Sequence, residues 1–211
     1  MSHSQQHIKR LLHPLTMVLT ITIIALSFVY LDLTIEQGLY SLHFREHSLV
    51  LRGITKLASG FILIPFLISA LWFRYVTIRP VWEERAWFIT ACIILTGVLS
   101  WGLKFLFGRS RPDLWHNMHE YGFYWLQVKA IYWSFPSGHA TTILSIAFGL
   151  SFLFPRYRIL FVSSGLFIAL TRVLLGYHYL SDVVAASYFT LLEVLFLIYF
   201  LNKKELLTKI C

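Results

Sequence analysis

AWFITACIILTGVLSWGLKFLF, residues 86–107, decides the fold. Its first 18 residues carry no Asp, Glu, Lys or Arg. As a helix rising about 1.5 Å per residue they nearly cross the ~30 Å of a bilayer's hydrocarbon. The rest of the chain has the same character. Of 211 residues, 57% are hydrophobic, 17% aromatic and only 13% charged, against roughly 25% charged in soluble domains. That excludes a disordered tail, a disulfide-rich secreted module and an ordinary cytosolic enzyme. An all-α, polytopic membrane bundle is predicted, as one membrane-embedded domain over 1–211.

Six spans are predicted, near 14–31, 57–74, 86–107, 139–154, 159–175 and 183–201, with weak spots at Pro65 and Gly97. Lys9 and Arg10 before the first span imitate a signal peptide, but the apolar run continues through Leu31, which favours an uncleaved anchor. Six spans put both termini on one side. That side collects ten basic residues against eight on the other, three of which are assigned below to a site. The positive-inside rule then makes the termini cytoplasmic. The formal charge of +8 is accounted for by basic flanks facing anionic head groups, so nucleic acid is not an expected partner. Cys92 and Cys211 form no metal site. Residues 108–138 are too long for a tight connection and rich in Trp, Tyr and Phe, which predicts an interfacial segment on the outer surface.

Three stretches carry polar groups at the outer ends of spans. Lys104 closes the third helix, and Arg111 precedes Pro112, which biases it to extended backbone. Lys104 or Arg109 taken alone reads as a cation snorkelling to head groups. Pro136-Ser137-Gly138-His139 opens the fourth helix. There Ser137 can cap, Gly138 lets an oxyanion approach the backbone, and the unpaired N–H groups suit phosphate. Taken alone it is equally a plain capped helix with an interfacial histidine. Finally, Arg172 precedes a break at Gly176, followed by His178 and Asp182. Four residues apart, these two share a helical face, and the carboxylate can hold one imidazole nitrogen while freeing the other.

Together these residues resemble the three motifs of the type-2 phosphatidic acid phosphatase superfamily: K-x6-R-P, P-S-G-H and S-R-x5-H-x3-D. The chain has Lys104 to Arg111-Pro112, then Pro136 to His139, then Arg172, His178 and Asp182, with Thr171 in place of the usual Ser. The resemblance covers about 57–200 and matches the family's bacterial integral-membrane branch. It implies that Lys104, Arg111 and Arg172, with Ser137 and the Gly138 N–H, hold phosphate oxygens. It also implies that His178 attacks phosphorus, Asp182 orients it, and His139 protonates the leaving oxygen. Three cations supply the charge a metal would bring, so no metal or other cofactor is expected. The expected substrate is a lipid phosphate or diphosphate met at the periplasmic face of the inner membrane: undecaprenyl diphosphate, phosphatidylglycerophosphate, phosphatidic acid or a lipid A phosphate. Membrane lipids are the other expected partners, and no pattern specifies an oligomeric state.

Alternatives are a phosphotransferase using the same site, a transporter, and a metal site built from Asp113, His116, His119 and Glu120. Asp32, Glu36 and Glu46 are expected to be solvated. Glu193, about 16 Å beyond Asp182 along a helix, is expected to be protonated and bonded to a neighbouring helix.

Overall fold

The computed structural model describes residues 12–207. Lys9, Arg10, Lys209 and Cys211 lie outside them. Among the described residues the chain is helical, with one isolated β-bridge between Arg109 and Phe123. Helix α1 (Pro14–Leu26) passes through a π turn, Ser27–Leu31, into α2 (Asp32–Tyr40). Short helices α3 (Phe44–His47) and α4 (Leu49–Lys56) precede α5 (Leu63–Tyr75) and α6 (Pro80–Phe107). Next come α7 (Pro112–Met118), α8 (Gly138–Leu153), α9 (Arg158–Leu174) and α10 (Leu180–Lys203).

Local chemistry sets the boundaries. Pro14 and Pro80 begin α1 and α6, where a missing N–H costs nothing. Gly108 ends α6 in the left-handed conformation, φ 54°. Ser137 caps α8, its hydroxyl accepting from the Ala140 N–H.

The chain is an integral membrane protein. Among the described residues four helices are long and apolar enough to cross a bilayer: Pro14–Tyr40, Pro80–Phe107, Pro155–Leu174 and Leu180–Lys203. The second predicted span, 57–74, corresponds to Gly60–Tyr75, which forms a bent pair with the preceding Leu49–Lys56, meeting at 46°. The break falls at 57–59 rather than at Pro65, which sits in the first turn of α5 and so disturbs no helical hydrogen bond. Gly97 leaves α6 unbroken. The fourth predicted span is the 16-residue α8, about 24 Å long and short of the hydrocarbon thickness.

Helix α8 is central. It packs on α6, α9 and α10. Ile146 and Leu153 join Phe88, Ile89 and Cys92 of α6 and Val194 and Ile198 of α10 in one core cluster. Ala140, Ile143 and Leu144 meet Ala169 and Val173 of α9 and Val183 and Ala186 of α10 in another. The outer helices turn apolar side chains outward, such as Val18, Ile21, Val98 and Ile159, which is the expected lipid-facing surface. Packing against α8 is close enough to require glycine. A Cβ on Gly165 would sit 2.6 Å from the Ala147 Cβ, and one on Gly149 would sit 2.7 Å from Ile89 Cδ1.

The segment after α6 does not lie flat. It folds back over the end of that helix, with the N–H groups of Tyr124, Trp125 and Leu126 donating to the carbonyls of Gly108, Phe107 and Leu106. Phe123 and Phe135 turn inward against Phe107, while Trp125 and Val128 remain exposed. The aromatic rings thus divide between a roof over the site and an outer face.

Gly165→Ala is expected to destabilise the bundle by about 1–3 kcal/mol through overpacking. Gly97→Ala, with nothing within 4 Å of the new methyl, is expected to cost nothing. Thermal unfolding in detergent measures both.

Candidate active site

The sequence-predicted residues converge at one end of the bundle. Lys104 comes from the end of α6, Arg111 from the extended residue before α7, and Ser137 to His139 from the start of α8. Arg172 comes from the end of α9, and Asp182 from the first turn of α10. Lys104 Nζ donates to the carbonyls of Trp133 (2.9 Å) and Pro136 (2.5 Å). The lysine therefore lies across the start of α8, and a Cβ on Gly138 would come within 3.3 Å of its Cε. Glycine thus gives the lysine side chain room beside the helix N-terminus. His139 lies within electrostatic reach of Arg172, Arg111 and Lys104.

The link between Arg172 and His178 is a turn. Gly176 takes φ 63°, and the N–H groups of Tyr177 (3.0 Å) and His178 (3.3 Å) both donate to the Arg172 carbonyl. Helix α10 begins only at Leu180, after an extended Tyr179. His178 and Asp182 therefore meet through an N-terminal turn and not on one helical face. Asp182 Oδ2 lies 3.5 Å from His178 Nδ1, and it also accepts from the Tyr179 N–H (3.0 Å) and the Ser134 hydroxyl (2.5 Å). Nδ1 is thus held on the Asp182 side, and Nε2 remains for chemistry. His178 is 2% exposed. Burial, reinforced by Lys104 and Arg111, lowers its pKa from 6.5 to about 3 against the opposing pull of Asp182. The imidazole is neutral, the form a nucleophile needs. Burial, with help from Arg45, also holds the Arg111 guanidinium below its ordinary range. Arg172 Nη1 donates to Thr55 Oγ1 at 3.0 Å, and its guanidinium lies 4.2 Å from the centre of the Tyr177 ring. The Thr171 hydroxyl donates to its own helix, at the Ile168 carbonyl.

Two expectations are corrected. Arg109 does not snorkel: it is wholly buried. It pairs with Asp182 Oδ1 and, at 2.7 Å, with Asp32 Oδ2. It also donates to the Ser181 hydroxyl at 2.6 Å. The rings of Phe28, Tyr121, Phe123 and Tyr179 surround it, with centroids 4.6–5.5 Å away, within cation–π range. Asp32 and Glu36 are not solvated either, at 1% and 2% exposure. Asp32 accepts from the Ser181 N–H at 2.9 Å, which ties the first membrane helix to α10. Glu46 is exposed as expected. An aspartate at the end of an apolar run needs a partner, but nothing in the sequence said which residue supplies it. Nothing in the sequence marked Ser134 or Thr55.

The residues of the alternative metal site go separate ways. Asp113 pairs with Arg45 at 2.6 Å, His116 with Glu36 at 3.0 Å, and Glu120 accepts from Tyr132 at 2.8 Å. Among the described residues no three His, Cys, Asp or Glu side chains are grouped to hold a metal ion. Among the described residues Glu193 has no hydrogen-bond partner on a neighbouring helix, contrary to expectation.

Three cations at or beside helix ends, a serine-capped helix N-terminus and a buried His–Asp pair meet at one end of a membrane bundle. Residues 85–206 match the model of the PAP2 superfamily, and the chain belongs to that superfamily. It is similar to the lipid A 1-phosphatase of Rhizobium etli, at 37% identity over 102 residues, 48% of this chain and 44% of that protein. It is also similar to the lipid A 1-phosphatase of Rhizobium johnstonii, at 38% identity over 97 residues, 46% of this chain and 40% of that one. The match thus spans less than half the length of each relative. Among solved structures, a transmembrane PAP2-type phosphatidylglycerolphosphate phosphatase from Bacillus subtilis matches with TM-score 0.48 and 20% identity, over 95% of this chain and 92% of that one.

Two outcomes are expected. Arg109→Met strands Asp32 and Asp182 as buried, unpaired carboxylates and is expected to cost about 3–5 kcal/mol. Arg74→Ala breaks the surface pair with Glu83 and a contact with the Tyr75 ring and is expected to cost less than about 1 kcal/mol. Separately, the unfolded chain protonates His178 below about 6.5, and the folded chain only near 3. In that window the unfolded state binds more protons, so stability falls as pH is lowered. The drop in unfolding midpoint from pH 7 to pH 4 is expected to shrink in His178→Asn.

Proposed function

We propose that the protein is a lipid phosphatase of the inner membrane that removes a phosphate group at the periplasmic face through a phosphohistidine intermediate. The observation that carries this reading is the neutral, buried His178, held at Nδ1 by Asp182 and Ser134 in electrostatic reach of Lys104 and Arg111. Lys104, Arg111 and Arg172, with the Ser137 hydroxyl and the Gly138 N–H, hold the phosphate oxygens. They stabilise the charge that spreads over those oxygens during transfer. His178 Nε2 attacks phosphorus as the bond to the lipid oxygen breaks, and His139 gives that oxygen its proton. His139 then takes a proton from water, which attacks the phosphohistidine. Inorganic phosphate leaves, and His178 is restored. Asp182 steadies the positive imidazole in between. The side chains supply all the positive charge used in these steps.

The likeness to lipid A 1-phosphatases favours a lipid A phosphate over the other lipid classes as substrate. The termini are cytoplasmic in this reading. Arg74, Arg79 and Arg85 flank the connection between α5 and α6, Arg156 and Arg158 the connection between α8 and α9, and Lys203 and Lys204 the end of α10. All lie at the end of the bundle away from the site. The bent pair and α8 would then each complete a crossing, for six in total.

A phosphate-release panel in detergent tests the reading against lipid A, phosphatidylglycerophosphate, phosphatidic acid and undecaprenyl diphosphate. Release from lipid A is expected to be fastest and to persist in excess EDTA. His178→Ala is expected to lose at least about 1,000-fold in turnover, and Asp182→Asn roughly 100- to 10,000-fold. Rapid acid-free quenching is expected to trap labelled phosphate on His178. Consumption only when a second lipid is present would make the protein a phosphotransferase, and full activity of His178→Ala would sink both readings.

A further inference from the structure

Outside the cation pocket lies a second cavity, of about 290 Å³. It is lined by Glu36 and Tyr40 of α2, Arg45 of α3, Asp113 and His116 of α7, and Gly176 of the turn before His178. Its walls are close in sequence to the phosphate-handling residues. Asp113 follows Arg111 by two positions, and Gly176 precedes His178 by two. Tyr177 connects the two spaces, its ring carrying Arg172 of the first at 4.2 Å and Arg45 of the second at 4.4 Å. The steps above use none of the cavity's side chains.

One group in it is built for a ligand. The Glu36 side chain is 3% exposed, and its Oε1 is taken by His116 Nε2 at 3.0 Å. Its Oε2 is buried and has no hydrogen-bond partner among the described residues. A buried carboxylate oxygen left unpaired costs on the order of 1–3 kcal/mol or more, so a ligand that donates to it is favoured. Gly176 leaves the space beside it open, since a Cβ there would come within 3.0 Å of Oε1.

The charges in the cavity select the chemistry. Glu36 faces His116, Asp113 faces Arg45 at 2.6 Å, and Glu46 faces His43 at 3.8 Å. Each carboxylate already has a nitrogen neighbour, so the acceptor left open to a ligand is Glu36 Oε2. It offers acceptors, donors and an apolar lining from Leu39, Leu174 and Leu175. Its volume is at the low end of the roughly 300–1,000 Å³ of small-molecule sites, enough for one ring. We propose that this cavity holds a neutral, hydroxyl-rich ring of the substrate head group, such as a single sugar, with a hydroxyl donating to Glu36 Oε2 while the attached phosphate lies among Lys104, Arg111 and Arg172. This rests on the lipid phosphatase reading and narrows its substrate to a glycosyl phosphate lipid.

The test separates binding from turnover. Equilibrium binding to the full chain in detergent is measured for a phosphate-free glucosamine-headed lipid and for diacylglycerol. The sugar lipid is expected to bind at least tenfold more tightly, and Glu36→Gln and His116→Gln are each expected to lose that preference. No preference in the wild-type chain, or a preference kept by both variants, would overturn the proposal. Phosphate release from a glycosyl phosphate lipid and from dodecyl phosphate is measured in parallel. In both variants the ratio of kcat/KM for the first to that for the second is expected to fall at least tenfold through KM. An equal loss on both substrates would show a purely structural role and also overturn it. Should neither substrate release phosphate while the Glu36-dependent binding preference stands, the phosphatase reading fails and the sugar site survives.

Discussion

A buried guanidinium, Arg109, holds the site together. It is wholly enclosed, and its two terminal nitrogens reach Asp182 on one side and Asp32 on the other. No part of this arrangement is stable alone. A carboxylate removed from water needs a partner, and so does an arginine. Two aspartates around one arginine would leave a surplus negative charge, which Ser134, Ser181 and the N–H groups of Tyr179 and Ser181 help to disperse. The rings of Phe28, Tyr121, Phe123 and Tyr179 exclude water and present their faces or edges to the cation. The result fixes Asp182, and Asp182 in turn fixes His178.

This constraint explains why the aromatic connection after α6 folds inward. Arg109 is one residue beyond the left-handed Gly108 that ends the helix. Its carbonyl accepts from the Ser134 N–H at 3.0 Å, so the backbone that positions the arginine also positions the serine on Asp182. A second backbone tie, from the Ser137 N–H to the Asp182 carbonyl at 3.3 Å, couples the start of α8 to the start of α10. The anion-accepting helix end and the His–Asp pair are thus held in register by main chain as well as by charge. Close packing at Gly149 and Gly165 keeps α8 central.

The two spaces at this end of the bundle have opposite electrostatic character. Lys104, Arg111 and Arg172 give one an excess of positive charge suited to phosphate. In the other, each carboxylate lies beside an arginine or a histidine. Tyr177 is in contact with both through Arg172 and Arg45. A substrate carrying a phosphate on a neutral polar ring would satisfy both without moving either set of charges.

Much of this was legible in the chain itself. The charge-free run from 86 to 103 made a membrane bundle unavoidable, because apolar length is a local property. Lys104, Arg111, Ser137, His139, Arg172, His178 and Asp182 stood out as polar groups near the ends of apolar runs, and Gly138 as the glycine between two of them, at spacings that a known family shares. The partners of Arg109 were not legible. Asp32 is 77 residues away and Asp182 is 73 away, and a lone arginine near a membrane interface has the same sequence signature whether it snorkels or is buried. The short fourth span, 139–154, was visible in hydropathy, but hydropathy could not show that Leu49–Lys56 meets the second apolar stretch across a bend at 57–59. Burial, long-range pairing and the inward turn of Glu36 depend on which helices become neighbours. That was decided by tertiary packing, because the energy of a charge is set by what surrounds it in space.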